Sequence, residues 1–263
     1  MTNTEQTGNG TTREYPSKPA RVYFYGTCLI DLLYPEAGLH GIQLLEREGI
    51  QVVFPEAQSC CGQPAYNSGY DKETRKVAAV QLSCFPEDIP VVVPSASCAS
   101  MFIDQYPPLF EGTPLAAAAA NLANKTFELT DFLVNVCKIQ LKDKGEPVKV
   151  AYHSSCSAQR HLKVDHCSSE LLEQLGNVAL LKQERAHECC GFGGTFSVKS
   201  PAISNAMVQD KCDSLLATHA DVLLSGDCSC MMNITGAMEK REQEGRGKSM
   251  PAKHIATFLL ERT

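Results

Sequence analysis

Cysteine is the residue of this chain best placed to do chemistry, and eight of its thirteen copies fall into a pattern. Cys28 is followed by the adjacent pair Cys60 and Cys61 and then by Cys98; Cys156 is followed by the pair Cys189 and Cys190 and then by Cys230. The first interval is 32 residues in one series and 33 in the other; the last is 37 and 40. Four thiolates around one point suit zinc or an iron–sulfur cluster and exclude magnesium or calcium, which take oxygen donors. Zinc sites usually draw on C-x-x-C knuckles. Directly adjacent thiols cannot easily aim at one small ion, whereas a cluster offers them different irons. The expectation is therefore an iron–sulfur cluster, up to one per series, with zinc as the alternative in one site.

Neighbouring residues extend these candidate sites. Gly62 and Gly191 follow the pairs and would let backbone N–H groups approach sulfur, although a tight turn accounts for a glycine equally well. Gly191-Phe192-Gly193-Gly194 lacks the G-x-G-x-x-G spacing of a dinucleotide fingerprint. His153, three residues before Cys156, has two readings: a proton carrier or hydrogen-bond donor to a cluster, or a histidine that orders the loop. His161, His166 and His187 also surround the second series, on weaker grounds. Cys84, Cys137, Cys167 and Cys212 read as small hydrophobes of the core. Cys228, two residues before Cys230, is either a spare ligand or structural.

The elements that must position these residues are themselves repeated. Val22-Tyr-Phe-Tyr-Gly-Thr-Cys28 aligns with Val150-Ala-Tyr-His-Ser-Ser-Cys156, and Ser97-Cys-Ala-Ser-Met101 with Ser229-Cys-Met-Met-Asn233. Each half closes on a similar helical piece, Glu128 to Val134 and His254 to Leu260. Short apolar runs predict strands over 21–25, 51–54 and 90–93 in the first half, and over 148–152, 178–181 and 221–224 in the second. Helical patterns lie between them, at 39–48, 71–84, 115–124, 168–175 and 201–219. The fold class is α/β: two pseudo-symmetric repeats, residues 21–146 and 147–263, each a small Rossmann-like βαβ layer of parallel sheet. Residues 1–20 are expected to form a disordered tail. The anchor cysteines then sit just beyond the C-terminal strand ends, the edge at which open parallel sheets bind ligands.

Composition narrows the classes. With 43% apolar and 21% charged residues the chain is ordinary globular material, long enough to bury a core without disulfides. Its 24 basic and 30 acidic residues give a net charge of −6, so nucleic acid is not an expected partner. Without an apolar leader or a membrane span, the expectation is a cytoplasmic protein with reduced thiols.

The doubled series, each with a Cys-Cys-Gly, resembles the cysteine-rich CCG-domain family, which includes the cluster-bearing subunits of heterodisulfide reductase, glycolate oxidase and lactate utilization. The resemblance runs from Val22 to the C-terminus. Ser59-Cys-Cys-Gly-Gln-Pro64, Cys189-Cys-Gly-Phe-Gly-Gly-Thr-Phe196 and Ser229-Cys-Met-Met-Asn-Ile-Thr-Gly236 look most like the lactate-utilization branch. The fullest family motif ends in C-x-x-C, but Ser95 and Asp227 stand at its first position here. The resemblance therefore implies four ligands per site, Cys28, Cys60, Cys61 and Cys98 in one and Cys156, Cys189, Cys190 and Cys230 in the other, suited to [4Fe–4S]. Asp227 and Cys228 are further candidates at the second. It also implies an oxidoreductase subunit, not catalytic alone, in a complex that oxidises L-lactate to pyruvate with a ferredoxin-like iron–sulfur partner. A heterodisulfide-reductase-like or glycolate-oxidase-like subunit, and a zinc-stabilised scaffold, are the alternatives.

Overall fold

Residues 4–6 and 12–263 are described in the computed structural model, with side chains from Arg13 onward. After an antiparallel pair, β1 (Thr4–Gln6) and β2 (Thr12–Glu14), the chain builds two four-stranded parallel sheets. In the first, β3 (Arg21–Phe24) lies between β4 (Gln51–Val53) and β5 (Val91–Val93), with β6 (Thr126–Glu128) beyond β5. In the second, β7 (Val148–His153) lies between β8 (Val178–Leu181) and β9 (Val222–Ser225), with β10 (Ala252–His254) beyond β9. Both follow the order second, first, third, fourth. The protein is thus α/β with two pseudo-symmetric repeats. Helices cover both sheet faces, so central strands such as Val91-Val-Val93 read as unbroken apolar runs.

The edge strands β6 and β10 were not evident from pattern. Thr-Phe-Glu and Ala-Lys-His carry no run of β-branched apolar residues such as the valines of the equally short β4 and β5, and the helical pieces expected from 128 and 254 begin one residue later, at Leu129 and Ile255. Glu128 and His254 are caps: the Glu128 carboxylate accepts from the N–H groups of Thr130 and Asp131, and His254 Nδ1 accepts from that of Ala256.

The expected disordered tail also needs correction. Residues 1–3 and 7–11 lie outside the described residues, but the stretch from Arg13 onward is packed on the first repeat. The Arg13 guanidinium sits 3.9 Å above the Phe127 ring and donates to the Thr126 carbonyl of β6. Tyr15 donates to Asp131 at 2.8 Å. These amphipathic side chains cover β6, an edge that would otherwise meet water.

The repeats interlock. Helix Ile255–Arg262, which ends the second repeat, packs on helix Pro35–Arg47 of the first, and turns Leu129–Asp131 and Phe132–Cys137 of the first pack on helix Asp165–Glu173 of the second. One core cluster runs through both sheets, joining Phe24, Leu44 and Leu133 to Val150, Leu171 and Leu259. This shared core fixes the two sheet edges relative to each other.

Candidate metal centre

The cysteines occupy the C-terminal edges of the sheets, at the point where strand order reverses between the first and third strands of each. Cys28 opens helix Cys28–Leu33 after β3, and Cys98 lies on helix Ala96–Ser100 after β5. Thr27 caps the former through Oγ1, 3.3 Å from the Ile30 N–H, and takes φ 51, a conformation that costs a β-branched residue energy. In the second repeat Ser155 Oγ plays the same part for the Ala158 N–H. Wide π-helical turns, Met101–Gln105 and Ser157–Leu162, lie just beyond Cys98 and Cys156. The loops bearing the cysteine pairs are held by their carbonyls: Tyr106 OH donates to Cys61 O and Asn233 Nδ2 to Cys190 O, each at 2.8 Å.

All eight repeated cysteines come together, in two rows of four. In the first, the thiols of Cys28, Cys60, Cys61 and Cys98 are linked by successive hydrogen bonds, with 3.5 Å between Cys61 Sγ and Cys98 Sγ. In the second, Cys156, Cys189, Cys190 and Cys230 are linked in the same order, with 4.0 Å between Cys156 Sγ and Cys189 Sγ. The predicted glycines sit where a backbone N–H must reach sulfur: Gly62 N is 3.4 Å from Cys60 Sγ and Gly191 N is 3.4 Å from Cys189 Sγ. Both have left-handed φ, 86 and 82. A Cβ on Gly191 would lie 2.8 Å from the Ser204 carbonyl oxygen, so no other residue fits there without a shift.

Charge follows this geometry. Hydrogen bonds donated by Cys28, by Cys61 and by the Gly62 N–H hold the Cys60 thiol well below its ordinary pKa. Those from Cys156, Cys190 and the Gly191 N–H do the same for Cys189. Cys28 and Cys156 are pushed up by those same sulfur–sulfur bonds and by burial. A cavity of about 280 Å³ adjoins the first row and one of about 200 Å³ the second. Four sulfur donors, an N–H aimed at sulfur and adjoining space fit a soft metal or an iron–sulfur cluster.

His153, the last residue of β7, is fully buried, and neither ring nitrogen has a hydrogen-bond partner among the described residues. It therefore does not order a loop through its ring. A ring nitrogen and the Cys190 and Cys230 sulfurs lie within 4.8 Å of one another. Burial, then the charge of Lys211, keeps the imidazole neutral, its pKa held down to about 3. Lys211 is itself buried, with Nζ donating to the carbonyls of Arg185 and Ala186. Its long aliphatic run in a helix gave no sign in sequence of this position, nor did Tyr106 or Asn233, whose roles exist only across distant loops.

One expectation beside Cys230 changes. Asp227 does border the second cavity, and its carboxylate is engaged by the Ser97 N–H at 3.0 Å, the Ser97 hydroxyl at 3.1 Å and the Ser229 hydroxyl at 2.7 Å, so it also ties the repeats together. Cys228 does not line the second cavity: it lines the first and packs against Ile30, Ala37 and Met231. Cys84, Cys137, Cys167 and Cys212 are buried within apolar clusters and line neither cavity. Of the neighbouring histidines, His161 lines the second cavity and His166 lies against Cys167.

Paired parallel sheets, each carrying a four-thiol row around a Cys-Cys-Gly turn, define a duplicated cysteine-rich protein. Residues 22–103 and 150–235 match the cysteine-rich domain of the CCG family, to which this chain belongs. Lactate utilization protein A of Shouchella clausii is 44% identical over 239 residues, which cover 90% of this chain and 98% of that protein. The protein of the same name from Geobacillus kaustophilus is 44% identical over 243 residues, covering 92% and 99%. A hypothetical protein from Helicobacter pylori shares the fold, with a TM-score of 0.68 at 9% identity. The match covers 93% of this chain and 49% of that one, so this chain spans about half its length. No helix among the described residues is long and apolar enough to cross a membrane.

Proposed function

We propose that the chain is an iron–sulfur subunit of a lactate-utilization complex that oxidises L-lactate to pyruvate, with one cysteine-ligated cluster, [4Fe–4S] in type, in each repeat. The observation that carries this reading is the pair of contiguous thiol rows, each with a glycine N–H 3.4 Å from the first sulfur of its cysteine pair. The near-full-length likeness to proteins named lactate utilization protein A supports the substrate. Cys28, Cys60, Cys61 and Cys98 hold one cluster, and Cys156, Cys189, Cys190 and Cys230 the other. When bound, such a cluster accepts and passes on single electrons.

The chain's own residues set the conditions for that relay. Gly62 and Gly191 direct N–H groups at sulfur, which stabilises the anionic form of the donor. Tyr106 and Asn233 keep the paired cysteines in place, and the interlocked core keeps the two sites at fixed separation. Oxidation of a 2-hydroxy acid removes two electrons and two protons, usually through a hydride acceptor, and no dinucleotide fingerprint occurs in this sequence. Lactate is accordingly oxidised on a partner, and a ferredoxin-like iron–sulfur protein exchanges electrons with this chain.

Anaerobic reconstitution with iron and sulfide, followed by metal and sulfide analysis and visible and electron paramagnetic resonance spectra, tests this. Cys61→Ser and Cys190→Ser should each remove one site's share of the signal, while Cys137→Ser should leave it intact. Protein that stays colourless and iron-free under these conditions ends the proposal. The proximity of His153 to Cys190 and Cys230 favours zinc as the second reading for the second site, and zinc in place of iron in the purified protein selects it.

A further inference from the structure

We propose that Cys228, a residue of the second repeat, is a fifth thiol ligand of the first repeat's site. This inference rests on the cluster reading above and adds a ligand that crosses between the repeats. Cys228 and Cys230 are both in the first turn of helix Cys228–Gln243. Two residues along an α-helix turn the side chain by about 200°. The two thiols consequently leave opposite sides of the helix, and they face different cavities.

Cys230 joins the second row, in contact with Cys190. Cys228 lines the first cavity together with Cys28, Cys60, Cys61 and Cys98. It also packs against Ile30, which lies in the helix that Cys28 opens. All five cysteines therefore border one space of about 280 Å³. Asp227 fixes this arrangement, because its carboxylate binds the N–H and hydroxyl of Ser97, the residue next to Cys98. The helix start that carries Cys228 is thus tied to the turn that carries a first-site ligand.

The chemical consequence is an asymmetry. Ser95 occupies the position three residues before Cys98, and its hydroxyl is engaged with that of Ser97 at 3.0 Å. The first repeat has no further thiol of its own bordering the cavity. Cys228 supplies one from across the interface. The second site has no counterpart, since none of the first repeat's cysteines borders the second cavity. The first site is then five-thiol and spans both repeats, and the second is four-thiol with His153 beside it.

The test uses the full chain, first without metal and then after anaerobic reconstitution with iron and sulfide. Methyl methanethiosulfonate, small enough to enter the cavity, is followed by mass spectrometry, with the fully buried Cys167 and Cys212, which line neither cavity, as controls. Cys228 should be labelled in the metal-free protein and protected after loading, in parallel with Cys28 and Cys98. Equal labelling of Cys228 in the two states, while Cys28 and Cys98 become protected, overturns the proposal and leaves the cluster reading standing. Failure of the unaltered chain to take up iron overturns both. In a Cys190→Ser background, which isolates the first site, Cys228→Ala should lower bound iron and change the paramagnetic resonance signal of the reduced protein. An unchanged spectrum would show that Cys228 is only a core residue.

Discussion

The two thiol rows share one geometry within different surroundings. In the first repeat Tyr25, the residue three before Cys28, is buried among Phe85, Phe102 and Tyr106 and spends its hydroxyl on the Ser59 carbonyl. Its counterpart in the second repeat is His153, whose ring lacks a hydrogen bond among the described residues, with the buried cation of Lys211 nearby. The carbonyl of the second paired cysteine is held by a phenol in one repeat and by an amide in the other. Ser95 stays within its own repeat, whereas the corresponding Asp227 crosses to the other. Sulfur placement is thus fixed by strand ends and the Cys-Cys-Gly turn, while the surrounding polarity is free to differ. Clusters held by the two rows, as proposed, would therefore differ in reduction potential.

The turn glycines should show the largest effects. Gly191→Ala combines a left-handed φ with a Cβ 2.8 Å from the Ser204 carbonyl, while at Gly62 the nearest atom to such a Cβ is a Thr74 methyl at 3.4 Å. Conformation alone costs about 1–2 kcal/mol at either position. The clash brings Gly191→Ala to about 2–5 kcal/mol once overpacking is added. Urea unfolding of the metal-free variants measures both; equal losses would mean that the second turn relaxes and that the two sites are more alike than their contacts indicate.

Asp227 comes next. Asp227→Ala leaves the Ser97 N–H without its acceptor and should destabilise by about 1.5–3 kcal/mol, the range for a hydrogen bond to a charged group. Ser95→Ala removes one exchangeable hydroxyl contact and should cost about 1 kcal/mol or less. A smaller contrast separates Tyr25 from His153. Tyr25→Phe loses a hydrogen bond of about 1 kcal/mol, whereas His153→Phe in the metal-free protein replaces an unpartnered polar ring and should be close to neutral or stabilising. Thermal unfolding of the two variants checks this, and a marked loss in His153→Phe would reveal a partner for the ring.

How much of this could be read from sequence depends on the range of the interactions. The duplication, six of the eight parallel strands and the thiol rows follow from local patterns: β-branched runs, cysteine spacing and a glycine after each pair. Cys84 and Cys212 were likewise legible as core residues because they sit on the apolar face of helical patterns. β6 and β10 were hidden because Thr-Phe-Glu and Ala-Lys-His lack the valine run that marks the equally short β4 and β5, and they are strands because β5 and β9 provide a free edge. The direction of Cys228 was hidden for a different reason. Its helical phase relative to Cys230 could be read, but the site on its far side belongs to a sheet more than a hundred residues earlier in the chain. The packed stretch after Arg13 looked polar and unpatterned, and its order comes from the Phe127 ring and Asp131 that it covers.

The capping residues of the two closing helices offer the finest contrast, because burial acts on them in opposite directions. Burial pushes the Glu128 carboxyl up from its ordinary 4.5 to about 7, against the hydrogen bonds from Thr130 and Asp131. It pushes the His254 imidazole down from 6.5, against its hydrogen bond to the Pro94 carbonyl. Glu128 has a folded pKa above its unfolded one, so its favourable contribution is complete below about 4.5 and is lost as pH rises through about 7. His254 has a folded pKa below its unfolded one, so its contribution is complete above about 6.5 and is lost as pH falls through the depressed value. Glu128→Gln should therefore flatten the stability profile between pH 4.5 and 7, and His254→Asn should flatten it below pH 6.5. Each change is bounded by about 1.4 kcal/mol per pH unit, the limit for one proton. Unfolding free energies measured from pH 4 to 8 on the metal-free chain read both slopes, and a change of the same sign in the two variants would mean that these caps do not mirror each other.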